Sequence, residues 1–321
     1  MKARSTLALA FTAGLCTTAP VGTPAQDVDI SNANRNFPQG SFRIGPSSET
    51  ESARLQRVID EPNFEPLRNL PSDNPYREIS GAIGFAMIFT REKNLSFCTG
   101  FLLSQRLFMT NHHCIYDKQD RLNVRKQSRI NFDYYSKEKI EKTYKTAEHK
   151  FKGVLAKDKA LDYAVVTIAP PASPDRPTLK PDLSKSTIRD LDRVAIVQHP
   201  QARPKAVVRE DTSIRARRAR RVRYRADTQR GSSGSPVLSP ENLDVVALHY
   251  RGVTNNNGEF VSNEGSWMRA IFRDISEGAS SNKESLSGLL SRHDLGGGAS
   301  GSQSGTVGSG GGDDGMQAIT E

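Results

Sequence analysis

Gly231-Ser232-Ser233-Gly234-Ser235-Pro236 lies between an arginine-rich stretch and the apolar run Val237-Leu238, and its reading decides how the rest of the chain is understood. Glycine admits backbone conformations that other residues resist, so two glycines around a serine let the chain turn sharply and present Ser233 with its neighbouring N–H groups. A nucleophile beside an oxyanion hole needs that arrangement, in which backbone donors meet the negative oxygen of a tetrahedral intermediate. Taken alone, the stretch favours the reading of a flexible Gly/Ser turn. Two upstream segments separate the readings. Thr110-Asn111-His112-His113-Cys114 supplies a histidine, and Leu161-Asp162-Tyr163-Ala164-Val165-Val166 supplies an aspartate ahead of an apolar run. Histidine, aspartate and serine in that chain order are the parts of one known triad arrangement.

Together these segments resemble the trypsin-like serine peptidases of the chymotrypsin fold. Thr-x-x-His-Cys, an Asp leading an apolar strand, and Gly-x-Ser-Gly-x-Pro all match, over roughly Ile79 to Ser276. The resemblance implies an all-β chain of two six-stranded antiparallel β-barrels with a C-terminal helix. It also implies an endopeptidase that works through an acyl-enzyme on protein or peptide substrates, without a cofactor. In that scheme Ser233 attacks the scissile carbonyl, His113 accepts and returns the proton, and Asp162 orients the imidazole. Counting back from Cys114, His113 rather than His112 occupies the motif position. The family's oxyanion positions fall on the N–H groups of Gly231 and Ser233. Where trypsin carries an aspartate that pairs with a new N-terminus, this chain has Ser232, so activation by that ion pair is not expected. Gly-x-Ser-Gly-Ser-Pro is similar instead to the bacterial glutamyl endopeptidase branch.

The remaining composition fits an exported globular protein of 321 residues and net charge +9. Residues 1–25 read as a secretory signal, with Lys2 and Arg4 ahead of the apolar run Leu7 to Cys16 and small residues at Thr23 and Ala25. That run is too short to span a bilayer, and no later segment is apolar enough, so the product is expected to be secreted or periplasmic with no membrane span. Loss of Cys16 with the signal leaves Cys98 and Cys114, an even pair that reads as one disulfide in an exported chain. The family bridges these same two positions. A zinc site on His112, His113 and Cys114 is disfavoured, because adjacent side chains rarely point at one ion and no second ligand cluster is visible.

Residues 26–75 hold too few apolar side chains for a core and read as a pro-segment or N-terminal arm, with a possible helix at Glu51 to Ile59. Short strand-like runs then fill residues 76–169, including Ile130 to Tyr135, and make the first barrel. Prolines at 170, 171, 174, 177 and 181 mark a linker over 170–186. The second barrel occupies 187–280, with helical spacing from Gly265 to Ile275. Residues 281–321 form a Gly/Ser-rich tail expected to be disordered.

Two features bear on substrate and partner. Asp227 falls where trypsin selects Arg or Lys, whereas Thr228 and His249 fall on positions that glutamyl endopeptidases use for an acidic side chain. Cleavage after Glu is the preferred reading and cleavage after Arg or Lys the alternative. In the first, Asp227 pairs with the His249 imidazole or turns outward. The seven arginines from Arg215 to Arg225 suit either an anionic polymer or a solvated strand face, since Arg221, Arg223 and Arg225 alternate with Val222, Tyr224 and Ala226. A degenerate peptidase acting purely as a binding module is the remaining alternative, although all three triad residues are present.

Overall fold

A computed structural model describes residues 63–137, 140–184, 189–281 and 317–318. The expected signal segment, most of the arm with its possible helix, and nearly all of the Gly/Ser-rich tail lie outside the described residues. The first half contains β1 (Glu65–Pro66), α1 (Pro75–Ile79), β2 (Ile83–Phe89), β3 (Leu95–Leu102), β4 (Leu107–Thr110) and the helical turn α2 (His112–Ile115). β5 (Arg129–Asn131), α3 (Ile140–Lys145), β6 (His149–Asp158) and β7 (Tyr163–Ala169) complete it. The second half contains β8 (Ala195–Gln198), β9 (Ala206–Val208), β10 (Ser213–Arg217), β11 (Arg221–Arg225) and β12 (Pro236–Leu238). It continues with β13 (Val245–Thr254), β14 (Phe260–Trp267), α4 (Met268–Ser281) and β15 (Gln317–Ala318).

Strands β6-β5-β2-β3-β4-β7 run in that order, and β7 pairs back onto β6, closing a six-stranded antiparallel barrel. β15 pairs with the same β6 at Gly153 and Val154. Every residue of β2 is buried, which a half-exposed strand would not show. Its two faces serve different clusters. Ala86 and Ile88 point into the main core, whereas Phe85, Met87 and Phe89 pack with Leu95 and Tyr134 on the other side. A strand covered on both faces reads as a continuous apolar run, and Ile83 to Phe89 does.

The second half is an eight-stranded sheet ordered β1-β9-β8-β12-β13-β14-β11-β10. It is longer than a six-stranded barrel because β10 extends one edge and β1 the other. β1 comes from the part of the chain expected to be the arm; it pairs Glu65 with Val207 and Pro66 with Ala206. Proline suits such an outer strand, where it has no ladder N–H to lose. Leu67 and Leu70 behind it are buried in the main core, so this end of the arm packs as part of the domain. From residue 170 to 184 no strand forms, and Pro181 makes only an isolated parallel bridge to Val245.

Two sequence expectations are corrected. The run Ile130 to Tyr135 is a strand only to Asn131, because the Asn131 side chain accepts the Asp133 N–H at 2.8 Å and turns the chain. The C-terminal helix starts at Met268, not Gly265, since Gly265 and Ser266 remain in β14, paired with Val222 and Leu248. Met268, Ile271, Phe272 and Ile275 face the core with the expected spacing. Among the described residues no helix is long and apolar enough to cross a membrane.

Candidate active site

Both glycines of the quoted turn have positive φ, +95° at Gly231 and +86° at Gly234. Space demands glycine as well. A Cβ at Gly231 would stand 2.6 Å from the His199 carbonyl oxygen, and one at Gly234 would stand 2.0 Å from that of Thr99. Within the turn, Ser232 N–H donates to Gln229 O, Gly234 N–H to His249 O and Ser235 N–H to Ser232 O. Ser232 is fully buried, and its hydroxyl oxygen accepts the Gln229 N–H at 3.1 Å. The residue before Ser233 is therefore an uncharged, internally bonded side chain. Ser233 itself is 1% exposed.

His113 sits on α2 directly after β4, and Asp162 precedes β7, so the β4–β7 pairing brings the two together. The Asp162 carboxylate accepts the His113 backbone N–H at 2.9 Å and contacts Nδ1 at 2.6 Å. An ionised carboxylate only accepts hydrogen bonds, so Nδ1 carries the proton and Nε2 keeps a lone pair. Burial alone would raise the Asp162 carboxyl, but the charge and hydrogen bonds of His113 outweigh it and hold it below its ordinary value. Asp162 adopts a left-handed backbone, φ +55°, and the Asn111 side chain clamps its carbonyl at 2.7 Å. His112 faces elsewhere. Its Nε2 meets Asp120 at 2.6 Å, and its ring stacks on Tyr116 at 4.6 Å.

One residue that the sequence did not single out joins the halves. Thr99 donates its backbone N–H to Ser233 O at 2.8 Å and its hydroxyl to Gly231 O at 2.8 Å. The same hydroxyl accepts the His199 N–H at 3.1 Å, and the Thr99 carbonyl accepts the Thr110 hydroxyl at 2.7 Å. Thr99 thus ties the serine turn to the strand that leads into His113. Its neighbour Cys98 is disulfide-bonded to Cys114 across 16 residues, with the Cα atoms 6.3 Å apart. Cys98, Cys114 and His113 place ligand atoms within 4.8 Å of one another. Both sulfurs are bonded to each other, however, and a disulfide offers no thiolate to a metal.

The three residues expected in the substrate pocket each have partners within the fold. Asp227 does not pair with His249. Its Oδ2 accepts the Asn63 N–H at 2.8 Å, and its carbonyl accepts Gln198 Nε2 at 2.9 Å. His249 is fully buried and bonds Tyr224 through Nδ1 at 2.6 Å, while its Nε2 has no partner. Burial, with the charge of His113 adding to it, pushes His249 down to about 3. Thr228 donates its hydroxyl to Asn263 Oδ1 at 2.8 Å. Tyr224 and Asn263 face each other across β11 and β14. Both are fully buried, and nothing in the sequence singles them out, because their partners come from distant strands.

The arginine-rich segment forms β10 and β11 with Val222 and Tyr224 buried, as the alternation predicts. Several of its charges are paired. Arg221, Arg223 and Arg251 converge on the buried Glu264, Arg217 meets Asp190, and Arg220 meets Asp274.

Residues 98–248 match the trypsin-like peptidase domain family. A chain described as uncharacterized protein y4fB of Sinorhizobium fredii is 30% identical over 170 residues, 48% of this chain and 25% of that one. The secreted RxLR effector protein 73 of Plasmopara viticola is 30% identical over 174 residues, 49% of this chain and 41% of that one. This chain therefore spans less than half the length of either relative. A solved Glu endopeptidase, in complex with MPD, superimposes with TM-score 0.52 at 18% identity, covering 70% of this chain and 99% of that one. At that identity the likeness is one of fold.

Proposed function

We propose, from the match of residues 98–248 to the trypsin-like peptidase domain family, that the chain is a serine endopeptidase using His113, Asp162 and Ser233. The observation that carries the proposal is the His113–Asp162 pair, held at 2.6 Å while Thr99 ties the Ser233 turn to the same barrel. With Nδ1 protonated and bound to Asp162, His113 Nε2 accepts the Ser233 proton as Oγ attacks the scissile carbonyl. The N–H groups of Gly231 and Ser233 receive the developing oxyanion. Collapse expels the amine, which takes its proton from His113, and water repeats the sequence on the acyl-enzyme. A fluorophosphonate probe should label Ser233, with casein hydrolysis lost in step. Folded protein that hydrolyses casein with Ser233 unlabelled overturns the assignment.

The residue preferred before the scissile bond is Glu, with Arg or Lys the alternative. Support comes from Thr228 and His249, which flank the turn; Arg or Lys is less supported because Asp227 already accepts the Asn63 N–H. The Cys98–Cys114 bridge supports export to an oxidising compartment. Anionic-polymer binding through Arg215 to Arg225 is an accessory property of the same peptidase. It is tested by a salt-dependent heparin affinity that survives Ser233→Ala.

A further inference from the structure

Oxyanion stabilisation depends on where two backbone N–H groups point, and in the serine turn each direction follows from a carbonyl. The N–H groups of Gly231 and Ser233 share their peptides with the carbonyls of Arg230 and Ser232. In a trans peptide the N–H and C=O point to opposite sides, so holding the oxygen directs the hydrogen. The Arg230 carbonyl accepts the Gln201 N–H at 2.6 Å, and the Ser232 carbonyl accepts the Ser235 N–H at 3.0 Å. The second of these bonds lies inside the turn. The first comes from a separate segment, the loop Pro200–Ala202.

That loop is strained. Gln201 and Ala202 are consecutive non-glycine residues with φ of +51° and +54°. Such backbone persists only where its surroundings hold it. Two side chains of the first half do so: the Tyr134 hydroxyl donates to the Ala202 carbonyl at 3.2 Å, and Thr99 meets the loop where it begins. The direction of the Thr99 hydroxyl is fixed by its two neighbours. The His199 N–H, 3.1 Å from Oγ1, can only donate, and the Gly231 carbonyl, 2.8 Å away, can only accept. Oγ1 therefore accepts from the loop and gives its one hydrogen to the turn. It bridges the segment that holds Arg230 O to the glycine whose N–H that hold directs. Thr99 is fully buried, so both bonds are made away from solvent. Glycine adopts either sign of φ readily, so Gly231 needs its carbonyl held from outside.

We propose that Thr99 is a positioning residue for the oxyanion hole: its hydroxyl fixes the loop Pro200–Ala202 and Gly231 against each other, and with them the direction of the Gly231 N–H. The inference rests on the peptidase reading above and adds to it a side chain of the first half that acts without touching substrate. Removing the hydroxyl leaves two buried backbone groups, the His199 N–H and the Gly231 carbonyl, without their shared partner. They regain partners only by moving, and the Gly231 N–H moves with them. The loss then falls on the transition state, where charge develops, and leaves substrate binding in place.

Two substitutions separate hydroxyl from shape: Thr99→Val keeps the shape without the hydroxyl, and Thr99→Ser keeps the hydroxyl without the methyl. Each is assayed for kcat and KM on one casein-derived peptide that wild type cleaves. Each is also assayed for inhibition by the peptide aldehyde ending at the scissile residue, whose hemiacetal with Ser233 places its oxygen in the hole. Thr99→Val should lower kcat about 100-fold with KM within about threefold, and should weaken the aldehyde by about the same 100-fold. Thr99→Ser should recover most of both losses. A role in packing alone would make Thr99→Ser, which opens a cavity, the worse of the two, and that order overturns the inference. So does folded Thr99→Val with wild-type kcat, or a loss carried by KM with aldehyde affinity unmoved. Where Thr99→Val fails to fold, Thr99→Ala carries the same expectation against Thr99→Ser. Wild type that cleaves no peptide and leaves Ser233 unlabelled by fluorophosphonate overturns the peptidase reading and the inference with it; the other adverse outcomes leave that reading standing.

Discussion

The two halves of the molecule treat buried polar groups differently. In the closed barrel such groups are mostly satisfied from within: His112 by Asp120, Asn131 by Thr143 and Thr146, His149 by the Pro170 carbonyl. Asn111 Oδ1 and Gln127 Oε1 stand as exceptions there. Buried atoms without partners gather in the eight-stranded sheet and its loops, at Gln198, His199, Gln229, Ser235, His249 and Ser262. Positive φ does not follow this division, since Asp162 in the barrel holds it as do Gln201 and Ala202 beside the serine turn. The difference has a physical reason. A general base must be oriented before substrate arrives, so its surroundings are complete. A binding wall gains most when its polar atoms acquire their partners from the substrate.

Breaking each half at its chemical centre gives the largest expected effects. Ser233→Ala should lower turnover by about six orders of magnitude while circular dichroism and melting remain those of wild type. Asp162→Asn leaves the shape but no longer dictates the imidazole tautomer, and should cost about four orders of magnitude in kcat. Adding the second change to the first should lower turnover little further, because triad members act as a unit. Additive losses would show that the His113–Asp162 pair and the Ser233 turn work independently, and the comparison between the halves would lose its chemical meaning.

The disulfide tests whether the first half is as preset as its hydrogen bonds imply. It closes a loop of 16 residues between β3 and α2, next to both Thr99 and His113. A bridge over such a loop contributes ~3 kcal/mol, so Cys98→Ala with Cys114→Ala should lower the denaturation free energy by about that amount. The two thiols should be absent from unreduced, alkylated digests of exported protein. Unchanged stability in the double variant would place the rigidity of the histidine segment in the Thr99 and Asn111 contacts instead.

Local chemistry made the active-site half of this picture legible in the sequence. Gly231 and Gly234 could be read because only glycine tolerates their backbone and space, Ser233 because it stands beside them, and the β2 run because it is continuously apolar. β6 escaped notice because its outward positions are Lys150 and Lys152 and its middle is Gly153, which dilutes the strand signal. β10 is masked by arginines in the same way. Thr99, Tyr224 and Asn263 could not be found by any local rule. Each matters through partners more than 20 residues away, and Thr or Asn on a strand carries no mark of the atom it will meet. Asp227 likewise has a partner that no local rule reveals, the N–H of Asn63 far upstream.

Acid sensitivity is concentrated in the second half, although burial also holds His112 of the first half below its ordinary value. His199 and His249 are both buried in the second half and both pushed from 6.5 to about 3, first by burial. The charges of Lys205 and His113 respectively add to it. His199 packs between Phe85 and Tyr134 with its Nδ1 on the Arg203 carbonyl, and His249 faces Tyr224 with His113 and Asp162 nearby. Unfolded histidine takes up a proton near pH 6.5, whereas these two do not until about pH 3. The unfolded chain therefore binds more protons throughout that interval. Stability is full above pH 6.5 and falls as pH drops towards 3, by up to about 1.4 kcal/mol per pH unit for each histidine. Asp162 in the first half is held low as well, so the unfolded chain again binds the proton more readily and the sign of the effect is the same. Its carboxyl is held low, so its contribution is present above about pH 4 and lost only below that. Denaturant unfolding at pH 7, 6, 5 and 4 should thus show a steady decline that begins well before any carboxylate protonates. His199→Gln or His249→Gln should each flatten that decline by about 1.4 kcal/mol per pH unit, whatever it does to stability at pH 7. A decline confined to pH below 4, or unaltered by both substitutions, would mean that the second half accommodates imidazolium, and that its unpartnered nitrogens are not held dry.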